Sequence, residues 1–393
     1  MAHFPKPPEG SWTEHFGIDT APMSYDDSIS ADYFEEEREA VFGHSWLNVG
    51  RVEQAPATGT YFTKPIDAVR ASVVVARGDD GDLHAWSHAL GAQFAFLRNA
   101  TFDPENLEDG LTPVQVDVWE GFVFVNFDDG NTRSLADHLG KFAAGMTGYP
   151  FGKMTQVYKF QSHVRSNWKL YIDAFAEFYH APVLHSKQYV SDESKKLMSY
   201  GFEALHYDID GPHGMVSSWG GMAPPKDPMM VKPTERVLRS GNFGPWDKPD
   251  IPELDSLPTG LNPTKHRSWG LDSYVFFPNF MIVVWEPGWY LTYHYWPTAY
   301  NEHIFEGTLY MAPPVTASDR MRQEMAAVTF KEFILQDCNT LEATQTMLET
   351  RTVSRFPLND QEVLLRHLHS SAQRYVEEVR QRTGASPVPV VHQ

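Results

Sequence analysis

One stretch of the sequence, residues 167–185, reads NWKLYIDAFAEFYHAPVLH and combines two acids and two histidines with several aromatic residues. Glu177 and His180 are three residues apart, so they share a face if this stretch is helical. His180 and His185 are five residues apart, which is about 140° on an ideal helix. Pro182 lies between the two histidines and can end or bend a helix. The two imidazoles can therefore meet at one point only if the helix bends or ends between them.

Two neutral imidazoles that meet at the edge of an apolar helix are typical of a metal site. The alternative is a pair of histidines packed in the core with satisfied hydrogen bonds, since histidine is of intermediate burial in proteins. The stretch by itself leaves both interpretations open.

The same stretch resembles the mononuclear-iron motif of the Rieske non-haem iron oxygenases, the aromatic-ring-hydroxylating α subunits. That motif consists of Asn-Trp-Lys, an acid, a second acid four residues on, Tyr-His, four further residues and a second His. The residues that match it in order and spacing are Asn167, Trp168, Lys169, Asp173, Glu177, Tyr179, His180 and His185. This signal is far more specific than a lone pair of histidines.

A second match lies on a long predicted helix, residues 318–350, for which Ser318 is the expected N-cap. Asp337 falls on the apolar stripe of this helix, where an unpaired carboxylate is costly. A salt bridge to a buried Arg or Lys would explain it, but with two histidines in place a metal is favoured. The family has its third iron ligand here, in an acid-Asp…Glu-x-x-Gln pattern whose first acid is replaced by Gln336. The adjacent Cys338 is expected to be a small core residue.

The resemblance implies His180, His185 and Asp337 as the ligands of a mononuclear Fe(II), a facial triad that leaves other positions for O2, water and substrate. It implies two further catalytic residues, Glu177 as the acid that bridges towards an electron-donating cluster and Asn167 as a neighbour of the iron. Members of the family hydroxylate aromatic rings, demethylate ethers or amines, or oxidise steroids and other apolar molecules. A small apolar substrate is therefore expected.

The resemblance covers nearly the whole chain and implies an α+β fold. Residues 1–30 are expected to form an extended N-terminal arm, because they are rich in Pro and Asp. Residues 31–150 match the family's Rieske domain, with a helix capped by Ser30 and then short antiparallel strands. Residues 151–393 are expected to form the catalytic domain, in which helices cover an antiparallel sheet in a helix-grip arrangement.

The Rieske-like region departs from the family at the cluster. A Rieske [2Fe–2S] centre needs two thiolates and two imidazoles, whereas the sequence has one cysteine, Cys338. Ser87 stands where the family has its first Cys, Ala89 stands where it has its first His, and the second hairpin, Cys-x-x-His, has no counterpart. His84 and His88 come without further ligands, so surface positions are favoured over a metal site for them. We therefore expect a shortened, degenerate Rieske-like β domain without a cluster.

Composition and charge restrict the partners of the chain. Its 393 residues carry a net charge of -19, which argues against nucleic acid and anionic membranes. There is no uninterrupted run of apolar residues long enough for a membrane span, and the first residues do not resemble a secretion signal. We therefore expect a cytoplasmic protein. The resemblance implies a trimer or a hetero-hexamer.

Three functions are compatible with these features. The first is an oxygenase subunit that uses O2 and receives electrons in trans, from a cluster-bearing α subunit or from a separate Rieske protein or ferredoxin. The second is a non-catalytic paralogue that stabilises or regulates a complete α subunit. The third is an unrelated protein that binds a small apolar ligand in an aromatic-rich cavity. The first is favoured, because all eight motif positions are retained.

Overall fold

The structure, a computed structural model, describes residues 6–90, 111–185, 204–219, 233–241, 244–267 and 269–384. Two large antiparallel sheets and several helices lie within these ranges, which confirms the predicted α+β class. In the same ranges we find no helix with the length and apolar character that a membrane crossing requires.

The chain starts with two short helices, α1 (Trp12–His15) and α2 (Ala31–Glu37). Ser30 caps α2 as predicted, because its side-chain oxygen accepts a hydrogen bond from the backbone N–H of Tyr33. The arm that precedes α2 is not wholly extended as predicted. Ser11 accepts a hydrogen bond from the third residue after it and so starts the single turn of α1.

Six strands form the first sheet, all antiparallel. Their bounds are β1 (Leu47–Arg51), β2 (Tyr61–Ile66), β3 (Ala71–Arg77), β4 (Leu83–Ala89), β5 (Thr112–Trp119) and β6 (Phe122–Asn126), and their order in the sheet is β1-β6-β5-β4-β3-β2. Ser87 and Ala89, the positions at which the family has cluster ligands, lie on β4. The position of the predicted missing hairpin falls among residues 91–110, outside the described residues.

Seven strands form the second sheet, also antiparallel. Their bounds are β7 (Gln156–Val164), β8 (His206–Asp210), β9 (His213–Trp219), β12 (Trp269–Phe276), β13 (Phe280–Trp285), β14 (Tyr290–Ala299) and β15 (Glu302–Met311), with β10 (Ser240–Gly241) and β11 (Gly244–Pro245) forming a separate short pair. The order is β7-β15-β14-β13-β12-β9-β8. Strands β12 to β15 form the meander predicted from their alternating sequence.

The remaining helices cover the sheets. Their bounds are α3 (Leu135–Met146), α4 (Trp168–Ala176), α5 (Ala181–Leu184), α6 (Pro233–Leu238), α7 (Ala317–Glu349) and α8 (Val363–Thr383). Helix α4 contacts α7, α8 and strand β14. The predicted N-cap of α7, Ser318, is wrong by two residues, because Thr316 and Asp319 form a reciprocal capping box that starts the helix earlier.

The two sheets share one apolar core. It joins residues of the first sheet to residues of α4, α7 and the second sheet, among them Val73, Val123, Trp168, Ile172, Leu291, Tyr295, Phe305 and Phe330. The first sheet ends at Asn126 and the second begins at Gln156. The division into an arm, a domain over residues 31–150 and a domain over residues 151–393 stays a prediction.

Helix α4 is anchored by a buried ion pair at its first turn. The Lys169 ammonium lies 2.7 Å from Glu37 Oε1, and both side chains are fully buried. The Trp168 indole N–H donates to the same carboxylate at 2.9 Å. Burial raises the pKa of Glu37, and Lys169 opposes that rise. The pair fixes α4 to helix α2, so the Asn-Trp-Lys part of the motif has a structural role.

A second buried cluster joins α4 to both ends of the chain. The His369 ring on α8 contacts Asp27 through Nδ1 at 2.7 Å and Asp173 on α4 through Nε2 at 3.1 Å. Burial by itself would lower the pKa of His369, but the charges of the two carboxylates outweigh burial and raise it to about 10. Asp27, in turn, has its pKa lowered to about 2 by His369 and Lys169 against the effect of burial.

Replacing Lys169 with Met would leave the Glu37 carboxylate buried without its cation, so we expect the free energy of unfolding to fall by about 3–5 kcal/mol. The matched control is Lys153→Met, since Lys153 pairs with Glu253 where the two side chains are 53% and 44% exposed. We expect that control to change stability by less than about 0.5 kcal/mol. Denaturant unfolding measures both, and equal small effects would contradict the anchoring role.

The His369 cluster predicts a loss of stability at alkaline pH. Because the folded-state pKa of His369 lies above the ordinary value of about 6.5, its positive charge stabilises the fold fully below that pH, and this contribution is lost as the pH rises through about 10. We expect His369→Gln to be less stable than the parent at pH 6.5 and to show a shallower decline towards pH 10, since about one titrating group is removed. Denaturant unfolding across this pH range measures the two slopes, and identical slopes would refute the prediction.

Candidate metal centre

The two motif histidines lie at either end of one helical turn. Helix α4 ends at Ala176, and Glu177 adopts extended backbone angles. His180 is the N-cap and His185 the C-cap of α5, with Pro182 in its first turn. The break predicted between the two histidines is wrong in position, because the chain leaves the helix at Glu177, before His180, and a helical turn joins the two histidines. The two imidazole rings end up with their centroids 5.4 Å apart.

Asp337 on α7 completes the group. Its Oδ1 lies 3.2 Å from His185 Nε2 and 3.9 Å from His180 Nε2. These three residues are the one group of three or more His, Cys, Asp or Glu side chains, within the described ranges, whose ligand atoms come within 4.8 Å of one another. We call it the His180–His185–Asp337 cluster.

The outer nitrogen of each ring has its own hydrogen-bond partner. His180 Nδ1 lies 2.6 Å from Glu177 Oε1, and His185 Nδ1 lies 2.7 Å from Gln336 Oε1. If each Nδ1–H donates to its oxygen, both Nε2 lone pairs face Asp337, as ligation of a metal requires. The pKa of His180 is raised, because Glu177 and Asp337 outweigh the lowering effect of burial.

The donor set fits a divalent iron. The Asp337 side chain is 2% exposed, and its Oδ1 has no hydrogen-bond partner among the described residues. In that part of the chain no Arg or Lys lies within ion-pair distance of it, so the salt-bridge explanation finds no support there. Ligand atoms held about 2.1 Å from one ion at right angles lie about 3 Å apart. The 3.2 Å separation is close to that value and the 3.9 Å separation is longer. Two imidazoles with one carboxylate are the donors of a non-haem Fe(II) site.

An apolar pocket of about 70 Å3 opens beside the cluster. Its other walls come from α4 and the turn after it, from α7 and from strands β12 to β14. The side chains are Phe175, Phe178, Ala181, Leu271, Val283, Trp285, Leu291, Tyr293, Phe330, Phe333 and Ile334. Of the described residues that line this pocket, none is Lys or Arg.

Asn167 lies away from the cluster, in contrast to its predicted place near the iron. It is the N-cap of α4, where its Oδ1 accepts from the backbone N–H of Lys169 at 3.0 Å and its Nδ2 donates to the Tyr300 carbonyl at 2.7 Å. The nine residues of α4 put about 14 Å of helix between Asn167 and Glu177. Its role in the structure is to cap the helix.

Cys338 behaves as a small core residue. Its side chain is buried beside Asp337, and its sulfur lies 3.3 Å from the Tyr171 hydroxyl. Within the described ranges, the two histidines of β4 belong to no group of metal-binding side chains. His84 pairs with Asp80 at 2.9 Å, and four residues of strand separate it from His88 by about 13 Å.

Gln336 is the contact that sequence reasoning missed. The sequence marks this residue only as a departure from the family pattern, whereas the structure gives it the Nδ1 of His185 as a partner. The sequence offers no signal for this contact, because it joins two residues that are 151 positions apart in the chain.

Comparison with known proteins agrees with this geometry. The family model described as "Ring hydroxylating alpha subunit (catalytic domain)" matches residues 151–378. The carnitine monooxygenase oxygenase subunit of Acinetobacter pittii (strain PHEA-2) is 26% identical over 191 residues, which cover 40% of this chain and 50% of that protein. The anthranilate 1,2-dioxygenase large subunit of Burkholderia cepacia is 27% identical over 209 residues, which cover 42% of this chain and 48% of that one. The chain thus spans about half the length of the curated relatives it matches.

Solved structures share the fold at low sequence identity. A quaternary ammonium Rieske monooxygenase in complex with its substrate gamma-butyrobetaine superposes with a TM-score of 0.60 at 16% identity, covering 90% of this chain and 95% of that one. Naphthalene 1,2-dioxygenase from Rhodococcus sp. bound to indole gives a TM-score of 0.62 at 14% identity, covering 90% and 94%. Because the family model matches more than half of the residues, the chain belongs to the family of ring-hydroxylating α subunits and carries their catalytic domain.

Proposed function

We propose that this chain is a non-haem iron oxygenase subunit in which His180, His185 and Asp337 hold one Fe(II). The observation that carries the proposal is the buried Asp337 carboxylate, which faces the Nε2 atoms of both imidazoles. Bound there, Fe(II) would supply the activation of O2 for oxidation of a substrate.

The neighbouring side chains keep the ligands in place. Glu177 and Gln336 lie at hydrogen-bond distance from the Nδ1 atoms of the two rings, and accepting the Nδ1 protons would fix the tautomer and the orientation of each imidazole. The aromatic and aliphatic walls of the adjacent pocket give the reacting face apolar surroundings.

We propose a small apolar substrate, aromatic in preference to zwitterionic. The relatives carry names that refer both to carnitine and to anthranilate, so their names alone do not decide the substrate. The described walls of the pocket offer six aromatic rings and no cation that would pair with a substrate carboxylate such as that of carnitine. Burial of an apolar ring against these walls would supply most of the binding free energy.

We propose that electrons reach the iron in trans. The sequence has one cysteine, which lies buried on α7, so it lacks the two thiolates that a Rieske [2Fe–2S] cluster needs. The donor would be a cluster-bearing α subunit in a trimer or hetero-hexamer, or a separate Rieske protein or ferredoxin. The His180–His185–Asp337 cluster is accessible from the His180 side. The His180 side chain is 22% exposed, whereas those of His185 and Asp337 are 6% and 2% exposed. Val183, on the same turn, is 81% exposed and is a suitable contact for that partner.

The single cysteine is also compatible with the second candidate, a non-catalytic paralogue that stabilises a complete α subunit. In an assembly with such a subunit, unchanged activity after His180→Ala would favour this candidate over the oxygenase. The expected cytoplasmic location stays a prediction.

Replacing any one of the three proposed ligands with Ala should abolish stoichiometric iron binding. We expect close to one Fe(II) per chain after anaerobic loading of the parent and at least about a tenfold weaker affinity in His180→Ala, His185→Ala or Asp337→Ala. His84→Ala is the matched control, because His84 is an exposed histidine paired with Asp80. Iron analysis after gel filtration measures the content, and retention of iron by all three variants would refute the site.

Glu177→Gln should separate iron binding from electron supply. The amide oxygen can still accept the Nδ1–H of His180, so we expect iron content near that of the parent. Loss of the negative charge should slow the oxidation of a reduced cluster-bearing partner by about 10- to 100-fold. Stopped-flow absorbance of the partner's cluster measures this rate. Glu253→Gln, at the exposed pair with Lys153, is the control. Equal rates for Glu177→Gln and the parent would count against a role for this carboxylate in electron supply.

A further inference from the structure

A cavity of about 710 Å3 lies between the two sheets, on the side of the second sheet that faces away from the metal. Strand β14 separates the two spaces. Leu291 and Tyr293 line the metal pocket, whereas Thr292, His294 and Trp296 line the cavity, as the alternation of a strand requires. The cavity is therefore distinct from the pocket at the His180–His185–Asp337 cluster.

One part of the cavity lining is apolar and aromatic. Phe122, Phe151 and Met154 line it together with Trp296 and Tyr310. Its volume falls in the range of about 300–1,000 Å3 that is typical of small-molecule sites, which also favour domain interfaces and mostly apolar walls with a few polar groups.

One group of charged side chains in the lining surrounds a single carboxylate. Glu306 Oε2 lies 2.5 Å from Lys64 Nζ and accepts a hydrogen bond from the Trp296 indole N–H at 3.2 Å. Lys159 Nζ lies 3.6 Å from the other oxygen of the same carboxylate. One negative charge is thus shared by two ammonium groups. Burial lowers the pKa of Lys64, and the Glu306 carboxylate opposes that fall.

The charges of the whole lining balance, because Glu53, Asp67 and Glu306 equal Arg51, Lys64 and Lys159 in number, so the excess of positive charge is confined to the surroundings of Glu306. The Glu53 carboxylate forms an ion pair with the Arg51 guanidinium, with 2.9 Å between nitrogen and oxygen. Asp67, the remaining acid, forms no ion pair with Lys64 or Lys159 among the described residues. The Lys159 side chain is 56% exposed, so its ammonium group is an accessible cation at one side of the cavity.

We propose that this cavity between the two sheets binds a small amphipathic carboxylate, with its apolar body against Phe122, Trp296 and Tyr310 and its carboxylate at Lys159 and Lys64. Charge-assisted hydrogen bonds to the ammonium groups fix the orientation, and burial of the apolar body supplies the affinity. Binding needs no iron, because the cavity and the metal pocket lie on opposite faces of β14.

Isothermal titration of the metal-free full chain with 4-phenylbutanoate tests the site, with 4-phenylbutanamide and 4-phenylbutylamine as uncharged and cationic analogues. We expect saturable binding of one 4-phenylbutanoate per chain and at least about tenfold weaker binding of both analogues. Lys159→Met should weaken binding of the carboxylate about tenfold. Thr308→Phe, which places a ring into the cavity, should abolish it.

The control variant is Phe333→Ala, which enlarges the metal pocket on the other face of the sheet and should leave the affinity for 4-phenylbutanoate unchanged. Three results would overturn the proposal. The first is an absence of saturable binding, and the second is equal affinity for the carboxylate and the amine. The third is an affinity for 4-phenylbutanoate that changes in Phe333→Ala but not in Lys159→Met or Thr308→Phe. The last result would place the probe in the metal pocket.

Discussion

The burial of Asp337 is the constraint around which the catalytic half of the chain is arranged. A carboxylate that is 2% exposed on the inner face of a long helix needs a compensating charge, because an unpaired buried anion is strongly unfavourable. The described surroundings offer two imidazole nitrogens and a set of apolar walls. A divalent cation held by all three residues would compensate that charge and satisfy the imidazole lone pairs at the same time.

The position at which helix α4 ends, and the buried contacts that fix this helix, bring the two imidazoles to Asp337. Its chain leaves the helical path at Glu177, so that His180 and His185 flank one short turn and face α7. Its first turn is fixed by the Lys169–Glu37 pair, and its middle by Asp173, which contacts His369. The N-terminal arm, α2 and α8 thus all contribute to the position of the two imidazoles. The cluster is a product of the whole chain, although its ligands come from two segments.

The resemblance to the family motif predicts which residues meet. It implies the two histidines and Asp337 as ligands, and the structure brings these three side chains together. The spacing misplaced the break, which it assigned to the interval that contains Pro182, because the extended backbone at Glu177 depends on tertiary contacts. Asn167 was assigned to the iron because it belongs to the same motif, yet it caps α4 at the far end. The contact of Gln336 with His185 joins residues 151 positions apart, which no local pattern encodes. The cavity between the sheets was beyond sequence reasoning for the same reason, since its walls come from both sheets.

Joint ligation of one iron ion by His180, His185 and Asp337 can be tested by anomalous diffraction at the iron absorption edge, from crystals loaded anaerobically with Fe(II). We expect one strong peak per chain, within about 2.0–2.3 Å of both Nε2 atoms and of a carboxylate oxygen of Asp337. A peak elsewhere, or none at full loading, would contradict it.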